Sequence, residues 1–211
     1  MDILYVIATP IGNLKDITYR AVECLKTADI IACEDTRQTA KLLQKYEISK
    51  PLISYHQHSK LTKIDYLIDL LKQGKDIALV SDAGTPGISD PGQILISEAI
   101  KNNIKVVPLP GPCAAICALQ ASGLNFSKFA FYGFPPNKKG RQTFLKNIIN
   151  EDKPVILYES CHRINKLLKE LGQTKVVVAK ELTKIYETFY RGIASEINIS
   201  TPKGEYVVIV L

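Results

Sequence analysis

The sequence predicts an α/β protein of two α/β domains, with a parallel sheet in the first, a mixed sheet in the second and a cleft between them. Three observations predict it. Short β-branched runs alternate with amphipathic helical stretches from Ile3 to Leu109. The strand runs are continuously apolar, the pattern of parallel strands buried on both faces. After Val176 the chain carries two strand-like runs with no long helix between them, which points to antiparallel pairing. At 211 residues the chain fits one large domain or two small ones. The expected division is 1–112 and 113–211, with the join around Gly111–Ala121.

The elements follow in order. Ile3–Ala8 is a buried strand. Asp16 is positioned to cap a helix running to Ala28, with Ile17, Ala21, Val22 and Leu25 on one face. Ile30–Cys33 is the next strand, Thr36–Tyr46 a helix and Leu52–Tyr55 a short strand. Leu61–Lys72 reads as a helix because Ile64, Leu67, Ile68 and Leu71 share a face, and it ends before Gly74. Ile77–Ser81 and Lys105–Leu109 are strands around a helix near Gln93–Lys101. The second half has strands at Phe129–Tyr132, Val155–Tyr158 and Val176–Ala179, with helices at Arg141–Ile149 and His162–Leu171. It closes with strands at Glu187–Arg191 and Tyr206–Leu211.

Composition narrows the function. With 46% hydrophobic and 23% charged residues the chain is neither disordered nor fibrous. Met1–Ala8 has no basic leader region, and no apolar run reaches the roughly 18 residues of a membrane span, so a cytoplasmic protein without a membrane partner is expected. The five cysteines (24, 33, 113, 117 and 161) form no CxxC pair and are expected as reduced thiols. A net charge of +6 favours an anionic partner, although the 22 lysines are spread along the chain as in any lysine-rich surface.

In open α/β sheets ligands bind beyond the carboxyl ends of the strands, so the loops there carry the chemistry. The first strand is followed by Thr9-Pro10-Ile11-Gly12-Asn13-Leu14, which is not GxGxxG, and no GxxxxGK[ST] occurs. The most informative loop is Ser81–Gly92, SDAGTPGISDPG, with three glycines, two prolines and two aspartates. It is either a tight strand-to-helix connection or a main-chain cradle. As a cradle it suits a zwitterionic or cationic ligand, since Asp82 and Asp90 oppose a polyanion.

Several motifs stand in a recognisable order: ATPIGNL (8–14), EDTR (34–37), SYHQH (54–58), SDAGTPGISDPG (81–92), PLPGP (108–112), YGF (132–134), YES-x-HR (158–163) and AKELTK (179–184). Together they resemble the ribosomal RNA-modifying branch of the tetrapyrrole methylase superfamily, over essentially the whole chain. The resemblance implies that superfamily's two-domain fold, with S-adenosylmethionine in the interdomain cleft. It also implies 2′-O-methylation of a decoding-centre cytidine in 16S rRNA of the small ribosomal subunit, and a homodimer. Two residues depart from the pattern: Cys113 stands where serine is usual and Cys161 where proline is usual. Many members continue into a further C-terminal helical segment, whereas this sequence ends on the strand at Leu211.

The expected cofactor residues are Pro10, Asp82, Ala83, Gly84, Thr85, Pro86, Gly87 and Ile88, with Gly111, Pro112, Cys113 and Ala114 in the next loop. The helix start at Ala114 is expected to offer N–H groups to the cofactor carboxylate, and Tyr132 and Leu182 to flank the adenine. A ribose hydroxyl is a weak acid and needs a base or a charge partner. Glu34, Asp35, Arg37, Glu159, Arg163, Lys180 and Glu181 are candidates, or else ordinary ion-pair members; Glu34 and Lys180 are preferred. Expected RNA contacts are Arg37, His56, Lys138, Lys139, Arg141 and Arg163, with a solvated lysine run as the alternative at 138–141. His56 and His58 lack a clustered third ligand, so no metal is expected. The rival readings are a same-fold methyltransferase acting on a tetrapyrrole or other small molecule, and a non-catalytic RNA-binding module. The latter is disfavoured by the absence of Trp and of an RNP-like aromatic pair.

Overall fold

A helix needs its first N–H groups satisfied, and Thr18 does this for α1 (Tyr19–Thr27) by accepting a hydrogen bond from the Ala21 N–H at 3.1 Å. Asp16, expected as that cap, instead closes a separate 3-10 turn at Leu14–Asp16 that is capped by Asn13. The extended backbone of Ile17 divides the two, so the helix starts later than the apolar spacing suggests. A computed structural model describes residues 2–55 and 61–211. Contacts divide the chain into two units, Met1–Cys113 and Ala114–Leu211.

The first unit has strands β1 (Ile3–Ile7), β2 (Ile30–Cys33), β3 (Leu52–Ser54), β4 (Ile77–Val80) and β5 (Lys105–Leu109). All pair in parallel, in the order β3-β2-β4-β1-β5. Helices α2 (Thr36–Lys45), α3 (Leu61–Lys72) and α4 (Gln93–Lys101) complete it. Side chains on a strand point alternately to the two faces. Leu4, Val6, Ile77 and Leu79 pack with Ile64, Leu67 and Leu71 of α3 and Leu95 of α4. Their neighbours Ile7, Ala78 and Val80 pack with Ala21 and Leu25 of α1 and Leu43 of α2 on the opposite face. Burying each large side chain contributes about 1.5–3 kcal/mol, and both faces must be covered to collect it.

This arrangement follows from crossover handedness. The chain runs outward from β1 through β2 to β3, then returns through β4 to β5. Right-handed crossovers in opposite directions put their helices on opposite faces. That separates α1 and α2 from α3 and α4.

The second unit has α5 (Ala114–Gln120), β6 (Ala130–Gly133), α6 (Arg141–Ile149), β7 (Val155–Ser160), α7 (Ile164–Leu171), β8 (Lys175–Lys180), β9 (Thr188–Ile193) and β10 (Glu205–Val210). Its sheet is mixed, in the order β6-β7-β10-β8-β9. β6 and β7 are parallel, and β10 lies antiparallel to both β7 and β8. Leu145 and Ile148 of α6 and Leu167, Leu168 and Leu171 of α7 cover one face, over Val155, Leu157, Val176, Val178 and Val208. Helix α5 packs against β7 and β10.

Charge is divided unevenly. The first unit holds 13 basic and 13 acidic residues, and the second 14 basic and 8 acidic, so the whole net charge of +6 belongs to the second. No helix among the described residues is long and apolar enough to cross a membrane.

Arg141, expected as a surface contact for RNA phosphates, is only 4% exposed. It starts α6 and points inward, with Nε donating to Glu170 at 2.8 Å and Nη2 3.7 Å from a carboxylate oxygen of Glu159. Glu159 is itself buried on β7 and pairs with Arg163 at 2.8 Å. Buried charge must be paired, and these four residues tie α6, β7 and α7 together. Arg141→Ala therefore leaves two carboxylates short of a partner. A urea titration should show a loss of about 3–5 kcal/mol; a loss near zero would mean the cluster is not holding the unit together.

Candidate functional site

The site begins where neighbouring strands send the chain to opposite faces. β4 lies between β1 and β2, yet α4 leaves it for one face while α1 and α2 leave its neighbours for the other. Such switch points open crevices at the carboxyl ends of strands. The Ser81–Gly92 loop is flanked by two of them.

Hydrogen bonds across these crevices set the loop shapes. Thr9 and Gly84 exchange a pair of main-chain bonds, 2.8 Å and 3.0 Å, joining the ends of β1 and β4. The buried Thr9 hydroxyl donates to the Ser81 carbonyl at 3.0 Å. Thr85 Oγ1 donates to the Pro112 carbonyl at 3.0 Å, adding the end of β5. The Gln93 side-chain amide donates to the Gly87 carbonyl at 2.8 Å, which closes the loop on the start of α4. Gly111 is required here: a Cβ on it would stand 2.8 Å from Cβ of Ala8. Of the expected cofactor residues, Pro10, Asp82–Ile88 and Gly111–Cys113 thus belong to the three strand-end loops of the first unit.

The same ends concentrate carboxylates. The Asp35 N–H donates to Asp82 at 2.9 Å, linking the β2 and β4 loops. Asp35 caps α2 and receives Arg37 through Nε and Nη2; these bonds hold its carboxyl down at about 2. Burial pushes Asp90 up to about 6, and the negative charges of Glu34 and Asp82 add to this against a Ser81 hydrogen bond. A depression of about 420 Å³ is lined by Glu34, Asp35, Thr36, Arg37, Ser54 and Asp82. Arg37 is exposed at its rim, committed to Asp35. Ser81–Gly92 itself holds no lysine or arginine. A positively charged ligand would relieve this field, whereas a phosphate would worsen it. Among the described residues no group of three His, Cys, Asp or Glu could hold a metal ion.

Ala114, Tyr132, Leu182, Lys138, Lys139, Arg163 and Lys180 lie in the second unit. The Ala115 N–H, in the first turn of α5, already donates to the Tyr158 hydroxyl at 3.2 Å. This removes one of the donors expected near Ala114 for a cofactor carboxylate. The exposed Tyr132 ring meets Phe144 edge to face, and its hydroxyl donates to Glu151. The Leu182 side chain is buried. Lys180 Nζ donates to the Thr201 carbonyl at 3.2 Å, while Lys138 and Lys139 are exposed. Arg163 is held by Glu159 and Ser160. His56 lies outside the described residues.

Thr9, absent from the expected residues, forms most of the latch. Its signal was a polar residue directly after an apolar strand and before a proline. Tyr158 was missed too, because its role depends on a contact 43 residues away.

Comparison with known proteins bears on this geometry. Residues 3–198 match the tetrapyrrole (corrin/porphyrin) methylases. The chain is 48% identical to "Ribosomal RNA small subunit methyltransferase I" of Synechocystis sp., covering 100% of this chain and 79% of the relative. It is 49% identical to the protein of the same name from Halalkalibacterium halodurans, over 98% of this chain and 75% of the relative. A crystal structure of diphthine synthase superposes with a TM-score of 0.77 at 16% identity, covering 99% of this chain and 89% of that one.

Two outcomes follow from the site geometry. The raised Asp90 pKa means the folded state holds that proton more tightly than the unfolded chain, so keeping Asp90 ionised costs stability above about pH 6. Asp90→Asn should raise Tm by about 2–4 °C at pH 7.5 and leave it unchanged at pH 4, read by calorimetry. An equal gain at both values would rule out the ionisation as its cause. Gly111→Ala must separate the β5 end from Ala8, and proteolysis of the native protein should become faster within residues 108–113; an unchanged cleavage pattern would show that the turn absorbs the methyl.

Proposed function

The chain belongs to the tetrapyrrole methylase family, among its ribosomal RNA small subunit methyltransferase I members, and from that premise we propose that it methylates 16S rRNA of the small ribosomal subunit with S-adenosylmethionine as donor. The target in this reading is the 2′-hydroxyl of a decoding-centre cytidine. One observation carries the substrate: near-half identity, sustained over the chain, to proteins that bear that name.

The strand-end loops suit this donor. S-adenosylmethionine supplies, when bound, an electrophilic methyl on a positively charged sulfur. Asp82 and Asp90 put negative charge beside the loop, and the raised pKa of Asp90 marks a place where a cation lowers the energy. Pro10, Asp82–Ile88 and Gly111–Cys113, all in the first unit, would hold the donor. Loops latched by Thr9–Gly84 and Thr85–Pro112 bonds do not have to be ordered on binding. Preorganisation of this kind favours the in-line alignment that displacement at carbon requires.

Glu34 serves in this reading as the acceptor of the ribose proton. Lys138 and Lys139 meet phosphates of the RNA. The protein works in the cytoplasm as a homodimer.

The test is methyl transfer from radiolabelled S-adenosylmethionine to unmodified small subunits, with a tetrapyrrole as the rival acceptor. Label on a cytidine 2′-oxygen supports the reading, and label on the tetrapyrrole alone overturns it. Asp82 is exposed but accepts the Asp35 N–H bond, so Asp82→Ala should lower Tm by no more than about 2–4 °C. Calorimetry should nevertheless show donor affinity weakened about tenfold, equivalent to the roughly 1.4 kcal/mol of a charge-assisted contact. Unchanged affinity would remove Asp82 from the site.

A further inference from the structure

We infer that the segment Phe134–Gly140 is a preformed hook for a single RNA strand, in which Phe134 stacks on a base, Lys138 and Lys139 hold phosphates and buried Arg141 sets the shape. The inference rests on the ribosomal RNA reading above and adds a base contact and a positioning residue to it.

The hook starts at a break in strand register. Phe131 pairs with Ile156 of β7, but Gly133, two residues on, pairs with the next residue, Leu157. Tyr132 is the extra residue of a bulge, and Gly133 takes φ 64°, which a larger residue adopts only with strain. Strict alternation would put Phe131 and Phe134 on opposite faces. The bulge cancels this, and both rings meet Tyr158 edge to face, at centroid distances of 5.1 Å and 5.6 Å. Phe134 is thereby propped from one side while 51% of it remains in solvent.

The other end is fixed from inside the fold. Pro135 and Pro136 restrict the backbone, and Arg141 Nη1 donates to the Pro136 carbonyl at 3.0 Å. The Arg141 N–H donates to the Lys138 carbonyl at 3.3 Å. Its guanidinium is in turn anchored by Glu170 and Glu159, so the two neighbouring lysines are carried on a loop stapled to a buried charge cluster.

Charge selects the partner. No acidic residue occurs anywhere between Glu98 and Glu151, and the unit that carries the hook holds the entire net charge of +6. A half-exposed aromatic ring on the same short loop as two exposed lysines is a combination that suits single strands: stacking tolerates any base, and the ammonium groups track the backbone.

The test is steady-state methylation of small subunits by full-length variants, with donor affinity measured alongside. Phe134→Ala and Phe134→Leu should each raise KM for the subunit about tenfold, within the range of one lost base stack, with kcat within about twofold and donor affinity unchanged. Phe134→Tyr, which restores a π face, should return KM to the original value. Lys138→Gln with Lys139→Gln should reduce the slope of log affinity against log salt by about 1.4, the value for two lost phosphate contacts on a single strand. Arg141→Lys keeps the charge but loses the fork, and should raise KM while leaving that slope unchanged. The hook is overturned if the original protein methylates subunits and Phe134→Leu matches it, or if the paired lysine substitution leaves the salt slope intact. If the original protein neither binds nor methylates small subunits, the ribosomal RNA reading falls and the hook falls with it.

Discussion

Two main-chain hydrogen bonds between Thr9 and Gly84 hold together what the topology drives apart. β1 and β4 are neighbours whose following helices must lie on opposite faces, because the chain first runs outward across the sheet and then returns. Without a tie the strand-end loops would diverge into solvent. The Thr9 latch, the Thr85–Pro112 bond and the contact of Gly111 with Ala8 convert that divergence into a fixed rim. The carboxylates of Asp35, Asp82 and Asp90 acquire their positions from it. The chemistry of the first unit is therefore a consequence of strand order, secured by a few polar contacts.

Most of the fold was legible because it depends on short-range patterns. The apolar runs at Ile3, Ile30 and Ile77 announced a sheet buried on both faces, and the helical spacing of Ile64, Leu67, Ile68 and Leu71 announced α3. Ends were less legible: Asp16 and Thr18 are both good caps, and only the extended backbone of Ile17 decides between them. At the site, the glycines and aspartates of 81–92 mark a tight connection or a main-chain cradle in the sequence, but the Asp35–Asp82 bond spans 47 residues and leaves no local trace. Arg141 misled for the same reason. It follows two lysines and a glycine and reads as the end of a basic run, while the carboxylate that buries it, Glu170, lies 29 residues on. The bulge at Tyr132 was equally hidden, since its cause is the register of a partner strand.

A cationic donor and a polyanionic acceptor, as the proposed function has them, call for opposite fields, and the two units differ in charge. Carboxylates gather at the strand ends of the first, which is neutral overall, and basic residues exceed acidic ones only in the second. A single uniformly basic protein would repel the sulfonium, and a uniformly acidic one would repel RNA. Placing the two fields on separate sheets lets each be tuned by local substitutions without cancelling the other.

Ala8 and Gly111 also impose an arithmetic on how this sequence can change. Together they share room for one methyl group, since a second would stand 2.8 Å from the first. The pair can exchange that methyl between the two strand-end loops, whereas holding two forces the β5 end away from Ala8. In descendants of this chain, position 111 therefore gains a side chain without strain once position 8 has lost its own. Two sites 103 residues apart in the sequence must drift as one.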